Sequence, residues 1–246
     1  MSKSMDSGWF HRIGPVLAGC FLAISHAGAV DLVEGFDNIA DLPSKGWSLQ
    51  NLSSPLGSTN WFQGNSLVFD AQAGPTDSYI GANFNNTAAT GDISNWAITP
   101  TLTYSNGDTF TFYTRTVAES TFADRLQVRM STNGGSSDVG NTATSVGDFS
   151  ILLEEINPAL STGGYPEIWT QFVVTVSGLG GPTSGRIAFR YFVTNGGSEG
   201  ANSNYIGIDS LTITTAVPEP STFALAAIGA VMIGVAGRRH RIRRSA

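Results

Sequence analysis

The strongest constraint on the fold is a period of two in the apolar residues of the middle of the chain. In the run 125–130, Leu126, Val128 and Met130 alternate with polar side chains, and the run 186–193 alternates in the same way. Successive side chains of a β-strand point to opposite faces, so each run predicts a strand with one face in a core and the other in water. The body of the chain shows no long apolar period of 3.6 residues, and we expect little helix there.

Turn residues separate these runs. Asn106-Gly107 lies between Leu102–Tyr104 and a run that begins at Thr109, and residues that tolerate positive φ favour a hairpin between two such segments. Many short strands joined by turns predict an all-β sandwich. The further strands that we expect cover residues 47–52, 66–71, 78–83, 150–154, 170–176 and 205–214.

The first 29 residues have the order of a secretory signal. Basic residues near the start precede an apolar run over 13–24, and Ala27-Gly28-Ala29 is a small-x-small cleavage site. We therefore expect residues 1–29 to be a signal peptide and the mature chain to begin at Val30. The alternative takes residues 17–20 as a lipobox, in which Cys20 is acylated after cleavage. Cys20 is the only cysteine, so the mature protein should have no disulfide.

The C-terminal segment 217–246 has three parts in a fixed order. A proline-containing motif (217–222) comes first, an apolar stretch (223–237) follows, and a basic tail (238–246) with five arginines ends the chain. The prolines favour an extended backbone. As a helix, the apolar stretch would be about 22 Å long, short for a hydrocarbon core of about 30 Å. The arginines should stay in the cytoplasm, which places the residues before Pro218 outside that membrane.

This tail resembles the PEP-CTERM sorting signal of Gram-negative bacteria, in which an exosortase recognises a Pro-Glu-Pro motif, a membrane helix and a basic end. The resemblance implies that Val217, Pro218, Glu219 and Pro220 are the sorting motif. It also implies export by the secretion machinery, transient insertion of 223–237 in the inner membrane, and exosortase cleavage near the motif. The protein would then reach the cell surface or extracellular matrix. An ordinary single-pass tail anchor is the alternative.

The body of the chain, residues 30–216, is acidic and lacks two kinds of reactive side chain. It has 17 acidic and 6 basic side chains, a net charge of −11, and all three histidines and the cysteine lie in the terminal segments. An acidic surface excludes nucleic acid as a partner. Without histidine or cysteine, triad-type nucleophilic catalysis and ordinary zinc sites are excluded as well. An enzyme of this composition would need two carboxylates facing one cleft, about 5 to 10 Å apart.

Four short segments in the body resemble the choice-of-anchor J domain, which is related to the cleaved-adhesin and MAM-like jelly rolls. The resemblance implies a single jelly-roll β-sandwich over residues 30–216. The segments, in chain order, are Glu34-Gly35-Phe36-Asp37 with Leu42-Pro43 and Gly46-Trp47, then 94–100 (SNWAITP), 124–128 (DRLQV) and 205–211 (YIGIDSL).

The jelly-roll resemblance also implies a calcium site where the first and last strands meet. Its ligands would be Glu34, Asp37 and Asp209. A carboxylate inside the apolar run 206–211 needs a partner if it is buried, and a hard cation with oxygen ligands would supply one. The alternative is that Asp209 caps a turn or accepts hydrogen bonds from backbone amides.

The tryptophans are candidates either for the core or for ligand contact. We expect Trp47 and Trp96 to be packed in the core. Trp61 and Phe62 lie close to Gly57 and Gly64, and in exposed turns their rings could stack on a sugar. We therefore predict Trp61 and Phe62 as the ligand-contact pair.

Together these features predict an exported, non-catalytic surface or extracellular-matrix protein. Its activity would be adhesion or carbohydrate binding, linked to exopolysaccharide and biofilm. Two other classes stay open: a purely structural matrix protein without a defined ligand, and a carboxylate-based carbohydrate-active enzyme.

Overall fold

The computed structural model describes residues 28–216, which form two antiparallel β-sheets packed face to face. Within this part of the chain the helices are three short 3-10 turns, Ile39–Asp41, Pro43–Lys45 and Phe84–Asn86. None of the described helices is long and apolar enough to cross a bilayer. The predicted sorting motif, the predicted membrane helix 223–237 and nearly all of the predicted signal peptide lie outside the described residues. The all-β prediction is confirmed.

Thirteen strands are present in residues 28–216, numbered in chain order. The first begins two residues before the predicted start of the mature chain. The strands are β1 (Gly28–Glu34), β2 (Ser48–Asn51), β3 (Ser54–Leu56), β4 (Phe62–Gln63), β5 (Ile80–Asn83), β6 (Thr87–Ile98), β7 (Leu102–Tyr104), β8 (Thr109–Thr116), β9 (Leu126–Ser131), β10 (Ile151–Ile156), β11 (Thr170–Thr175), β12 (Thr183–Gly196) and β13 (Tyr205–Ala216).

The chain passes repeatedly from one sheet to the other. Sheet A has the order β11-β8-β13-β5-β4, and β1 also pairs with β13. Sheet B has the order β10-β9-β12-β6-β2, with β3 on β6 and β7 on β12. Along β8, each residue that faces sheet B is buried and each that faces outward is half-buried, as the period of two predicts. The inward faces of both sheets form one continuous apolar core.

The predicted hairpin at Asn106-Gly107 is wrong. β7 pairs with β12 in sheet B, whereas β8 pairs with β11 and β13 in sheet A, so the turn carries the chain between sheets. Gly107 has the expected positive φ of 97°, and its amide donates to the Val176 carbonyl of the neighbouring connection. The residues Asn106-Gly107 predict a turn, but they do not determine which strands pair, because each strand's partner is set by residues far away in the chain.

The predicted strand over 66–71 is also wrong. The Asn65 side chain accepts a hydrogen bond from the Leu67 amide at 3.0 Å, and the Asn65 carbonyl accepts one from the Val68 amide at 2.9 Å. An Asn side chain that bonds to the backbone two residues on favours a turn over a strand. Leu67 is consequently 93% exposed at the surface of this loop.

The outer face of sheet B does not meet water, contrary to the prediction for Arg186 and Arg190. Arg186 is 6% and Arg190 is 1% exposed. The segment 132–150, between β9 and β10, lies over this face and makes a second small core with strand residues. That core contains Trp96, Ile98, Val139, Phe149 and Ala188.

Arg190 joins the covering segment to the sheet. Its guanidinium donates to Ser94 Oγ at 3.0 Å, to Gln127 Oε1 at 3.1 Å and to the Ala143 carbonyl at 2.5 Å. It also lies over the rings of Trp96 and Phe192, 4.8 and 3.8 Å from their centroids. Burial lowers the pKa of Arg190, because the charged form has lost its hydration. These neutral acceptors and aromatic faces stabilise the buried charge.

Arg190→Ala should lower the free energy of unfolding by about 2 to 4 kcal/mol, since it removes three hydrogen bonds and leaves a gap between two rings. Urea denaturation measures the change. Limited proteolysis should cut within 132–150 faster, because the Ala143 carbonyl loses its donor. Arg190→Lys keeps the charge without the planar fork and should lose a large part of the same stability. Unchanged stability of Arg190→Ala would contradict this role.

Candidate functional site

A cleft of about 400 Å³ opens at the end of the sandwich where β12 leads into β13. We call it the end cleft. Phe122, on the loop between β8 and β9, is 44% exposed beside it. The residues that line the cleft are Phe84, Phe122, Gly197, Ser198, Ser203 and Asn204.

The connection between β12 and β13 can follow its path only with glycine at position 197. Gly197 has a φ of 101°, and a Cβ at this position would lie 2.0 Å from the Ala89 carbonyl oxygen. Glycine alone tolerates both conditions. The Gly197 amide donates to Ser203 Oγ at 2.9 Å, which closes the turn and brings Ser203 and Asn204 to the cleft.

Hydrogen bonds tie this turn to the loop between β8 and β9. The Ser203 amide donates to the Ala123 carbonyl at 2.8 Å, and Asn204 Nδ2 donates to Ser120 Oγ at 2.9 Å. On the other side, the Phe84 amide donates to the Asn204 carbonyl at 2.9 Å. Asn204 is therefore held by two other chain segments, and its side chain is fixed before any ligand arrives.

Asp124 lies beneath the end cleft and is fully buried. Its Oδ1 accepts hydrogen bonds from the Tyr191 hydroxyl at 2.5 Å and from the Asn204 amide at 2.8 Å. Its Oδ2 lies 2.6 Å from Thr116 Oγ1. Burial raises the pKa of Asp124, because a carboxylate away from water is unfavourable. The carboxyl group connects β8, β12 and the start of β13 below the cleft.

The lining of the end cleft combines aromatic rings with small polar groups. The six residues include two phenylalanines, two serines and an asparagine, and no side chain among them is charged. Apolar surface with a few fixed donors and acceptors is typical of a site for a neutral organic molecule. The arrangement can bind a polar ligand that also has apolar faces.

The structure does not bring the predicted calcium ligands into one cluster. In residues 28–216, no three Asp, Glu, His or Cys side chains lie together in a way that could hold a metal ion. Glu34 accepts a hydrogen bond from the Phe36 amide at 2.9 Å and forms an ion pair with Lys45 at 2.9 Å. Asp37 accepts one from Ser78 Oγ at 2.7 Å.

Asp209 lies at a β-bulge in the middle of β13. The strand pairs with β5 as far as Ile208 and with β1 from Leu211 onward, and Ser210 between them has a φ of 52°. Asp209 Oδ2 accepts from the amides of Gln72 and Ala73 at 2.8 and 3.1 Å. These bonds agree with the alternative in which Asp209 bonds to backbone amides.

Calcium binding by Glu34, Asp37 and Asp209 stays a prediction. The donors that surround these carboxylates are N–H, ammonium and hydroxyl groups, whereas a calcium ion needs six or more oxygen ligands around it. The described contacts therefore fit a hydrogen-bonded role for the three residues better than a shared ion.

The prediction of an exposed pair at Trp61 and Phe62 needs correction. Trp61 is only 4% exposed and belongs to the main core, so its indole face is not available to a ligand. Phe62 is half-buried and contacts Tyr205, with ring centroids 5.5 Å apart.

The nearby Gly57 lies in closely packed chain and not in an exposed turn, because a Cβ there would lie 2.1 Å from the Asn85 carbonyl. Gly64 is also closely packed, because a Cβ there would lie 2.4 Å from the Tyr79 ring.

Sequence reasoning missed Phe122 and Asn204. Neither lies in a recognisable motif, and the end cleft is made of three segments far apart in the chain. The available signal was general: loops at one end of a sandwich often carry binding residues, and Phe122 is an aromatic residue in such a loop. The expectation that Trp47 and Trp96 are packed is confirmed, with exposures of 4% and 0%.

The comparison with known families concerns the end of the chain. Residues 216–242 match the PEP-CTERM protein-sorting motif, which confirms the predicted sorting tail. A protein with this signal is exported and directed to the cell surface. No curated protein is similar in sequence to the chain.

Three solved structures that are similar to the chain were compared with it. The K1 cleaved adhesin domain of Lys-gingipain from Porphyromonas gingivalis W83 is 21% identical, with a TM-score of 0.51, over 76% of this chain and 98% of that one. For the K3 domain of the same protein the values are 19%, 0.48, 76% and 100%. For the CBM22-1 xylan-binding domain from Paenibacillus barcinonensis Xyn10C they are 13%, 0.39, 79% and 100%. The similarity to the K1 domain supports the predicted jelly-roll fold.

Asp209→Asn should lower the free energy of unfolding by about 1.5 to 3 kcal/mol. Both carboxylate oxygens accept from backbone amides, Oδ2 from Gln72 and Ala73 and Oδ1 from Ser210, so either orientation of an asparagine turns its NH2 group toward an N–H group. Urea denaturation measures the loss, and Asp41→Asn at the exposed surface is the matched control. The same measurements with excess calcium and with EDTA test the calcium hypothesis. A stabilisation by calcium that Asp209→Asn abolishes would contradict the purely hydrogen-bonded role.

Proposed function

We propose that this chain is an exported, non-catalytic surface protein that binds a neutral extracellular polysaccharide in the end cleft. The observation that carries the proposal is the pairing of an exposed aromatic ring with polar side chains in one uncharged cleft. Phe122 supplies the ring, and Asn204 and Ser198 supply the polar groups.

A sugar ring matches this lining in both of its chemical aspects. Its C–H faces are apolar and pack on aromatic rings, while its hydroxyl groups exchange hydrogen bonds with amide and hydroxyl side chains. Phe84 and Phe122 offer the first kind of contact and Ser198 offers the second. Because Ser120 and Phe84 already hold Asn204, little side-chain freedom is lost on binding.

Charge favours a neutral polymer over an acidic one. Residues 30–216 have a net charge of −11, and no lysine or arginine is among the six lining residues. A polyuronate or a phosphorylated polymer would approach against repulsion, without a cation to receive it. A neutral polymer meets no such penalty.

The sorting tail supports a surface location for this binding. The proposal includes processing by an exosortase in a Gram-negative bacterium, with transient insertion of 223–237 in the inner membrane, and the PEP-CTERM match supports the exosortase step. After cleavage the acidic sandwich would reach the surface or extracellular matrix, where exopolysaccharide and biofilm supply its ligand.

Two other functions make different demands. A carboxylate-based enzyme requires two acidic side chains facing one cleft, and the six residues of the end cleft include none. A purely structural matrix protein requires no ligand at all. Failure to bind any polysaccharide, together with a matrix defect in a deletion strain, would favour the structural function.

Phe122→Ala should weaken binding to a neutral polysaccharide about tenfold, equivalent to about 1.4 kcal/mol, because the sugar loses its stacking partner. Affinity electrophoresis through gels that contain xylan, glucomannan or dextran identifies a ligand, and calorimetry with the matching oligosaccharide measures the change.

Leu67→Ala is the matched control, since it removes an equally apolar and more exposed side chain from a different loop. It should leave the affinity unchanged. Equal losses in both variants, or preferential binding to alginate, would contradict a neutral-sugar site at the end cleft.

Replacing Pro218, Glu219 and Pro220 by alanine should keep the protein in the membrane fraction at its uncut size. The motif recognised by the exosortase is then lost while the apolar stretch remains. Cell fractionation and immunoblotting compare this variant with the wild type. Substitution of Ser221 and Thr222 is the control, and release of the triple variant at normal size would contradict the assignment.

A further inference from the structure

Two threonines on the inward face of β8 make matching contacts with β13. Thr114 Oγ1 lies 2.6 Å from the Gly207 carbonyl and 2.6 Å from the Tyr165 hydroxyl. A threonine hydroxyl has one proton to donate, and a carbonyl oxygen can only accept. Thr114 therefore donates to Gly207 and accepts from Tyr165, whose hydroxyl supplies the second proton.

Thr116 makes the same pair of contacts with a carboxyl group in place of the tyrosine. Its Oγ1 lies 2.9 Å from the Tyr205 carbonyl and 2.6 Å from Asp124 Oδ2. If Asp124 were ionised, Thr116 could satisfy only one of these two acceptors, and the other contact would join two oxygens without a hydrogen. A proton on Asp124 satisfies both contacts.

The other oxygen of Asp124 behaves as the carbonyl of a neutral acid. Oδ1 accepts two hydrogen bonds, from the Tyr191 hydroxyl and the Asn204 amide, while Oδ2 faces only the threonine hydroxyl among the described contacts. Two bonds accepted by one oxygen and one donated by the other is the pattern of a protonated carboxyl group.

We propose that Asp124 is protonated in the folded protein near neutral pH, donates to Thr116, and acts as a positioning residue for the end cleft. The protonation rests on the hydrogen bonds alone, and only the positioning role rests on the proposed function. Complete burial without a described cation partner favours the neutral form. Burial also raises the pKa of Asp124, in the required direction.

The groups that face Asp124 do not titrate in the same range. Tyr191 on β12 and Tyr165 on the connection to β11 both have pKa values raised by burial, so both stay neutral. Thr116 on β8 and Asn204 before β13 have no charge. Arg125, the next residue, turns its guanidinium to the Phe192 and Pro158 carbonyls and lies over the Phe192 ring.

The sign of the pH dependence follows from the proton count. The folded chain holds a proton that the unfolded chain releases above about pH 4. Stability from this group is complete below that pH and is lost as the pH rises through the raised folded-state pKa. Over this interval the unfolding equilibrium constant rises about tenfold per pH unit. The contacts beneath the end cleft should therefore be strongest in mildly acidic surroundings.

Asp124→Asn tests the proposal in the full-length protein in mild detergent. An asparagine amide can donate to Thr116 and still accept from Tyr191 and Asn204, so it reproduces a protonated aspartate. We expect its unfolding constant to lie within about tenfold of wild type at pH 5, and the ratio of wild type to variant to rise by up to tenfold per pH unit above that. A variant less stable by a constant large factor from pH 4 to pH 8 would overturn the protonated state.

Carboxyl carbon NMR of aspartate-labelled protein provides a readout that does not depend on the variant being stable. The Asp124 signal, assigned as the one missing in Asp124→Asn, should keep the position of a protonated acid at pH 6. An Asp124 signal at the carboxylate position would also overturn the proposal.

Binding to the neutral polysaccharide is measured separately, so that the two proposals can fail independently. At pH 6, Asp124→Asn should bind as the wild type does, while Thr116→Val, which removes the acceptor of the proton, should bind more weakly. If the NMR result holds and the wild type binds no polysaccharide, the site proposal fails and the protonated Asp124 remains. If Thr116→Val folds and binds normally, the positioning role is overturned.

Discussion

The pairing of β13 with β8 is the interaction on which the rest of the structure depends. β13 runs through sheet A with β8 on one side and with β5 and then β1 on the other. The bulge at Asp209 is the point where that partner changes, and its carboxylate holds the neighbouring loop by two amides. At the start of β13, Thr114 and Thr116 of β8 connect the strand to Tyr165 and Asp124. The geometry of the end cleft follows from these contacts.

All five arginines of residues 28–216 are buried or half-buried, although the domain is acidic. Arg186 and Arg190 are buried beneath the segment 132–150, where they donate to carbonyl groups and to neutral side chains. Arg115 lies over the ring of Phe69 on the outer side of sheet A. The arginines thus stabilise loops that cover the sheets. The exposed surface of the domain consequently has mainly carboxylates and neutral polar groups. This distribution accounts for an uncharged cleft on a strongly acidic protein.

Local patterns in the sequence predicted local structure well. The alternation in residues 125–130 and 186–193 predicted β9 and β12, and the three consecutive parts of the tail predicted the sorting signal. Non-local features could not be predicted in this way. The connection at Asn106-Gly107 depends on which sheet each flanking strand joins, and the burial of Arg190 depends on the 132–150 segment. The burial of Trp61 depends on its packing with distant residues of the main core. The cleft at Phe122 and Asn204 requires three distant segments to meet, and no spacing in the chain encodes that meeting.

The length and direction of β13 determine how the protein would present a bound polymer. The strand begins beside the end cleft and finishes at Ala216, where the sequence continues into the sorting motif, and its twelve residues span about 36 Å at 3.3 Å per residue. β1 runs antiparallel beside its second half, with Gly28 opposite Ala216, so both ends of the sandwich domain leave from the far side. A polysaccharide strand held at the cleft would not obstruct the processing enzyme, and capture of the matrix could precede release from the cell.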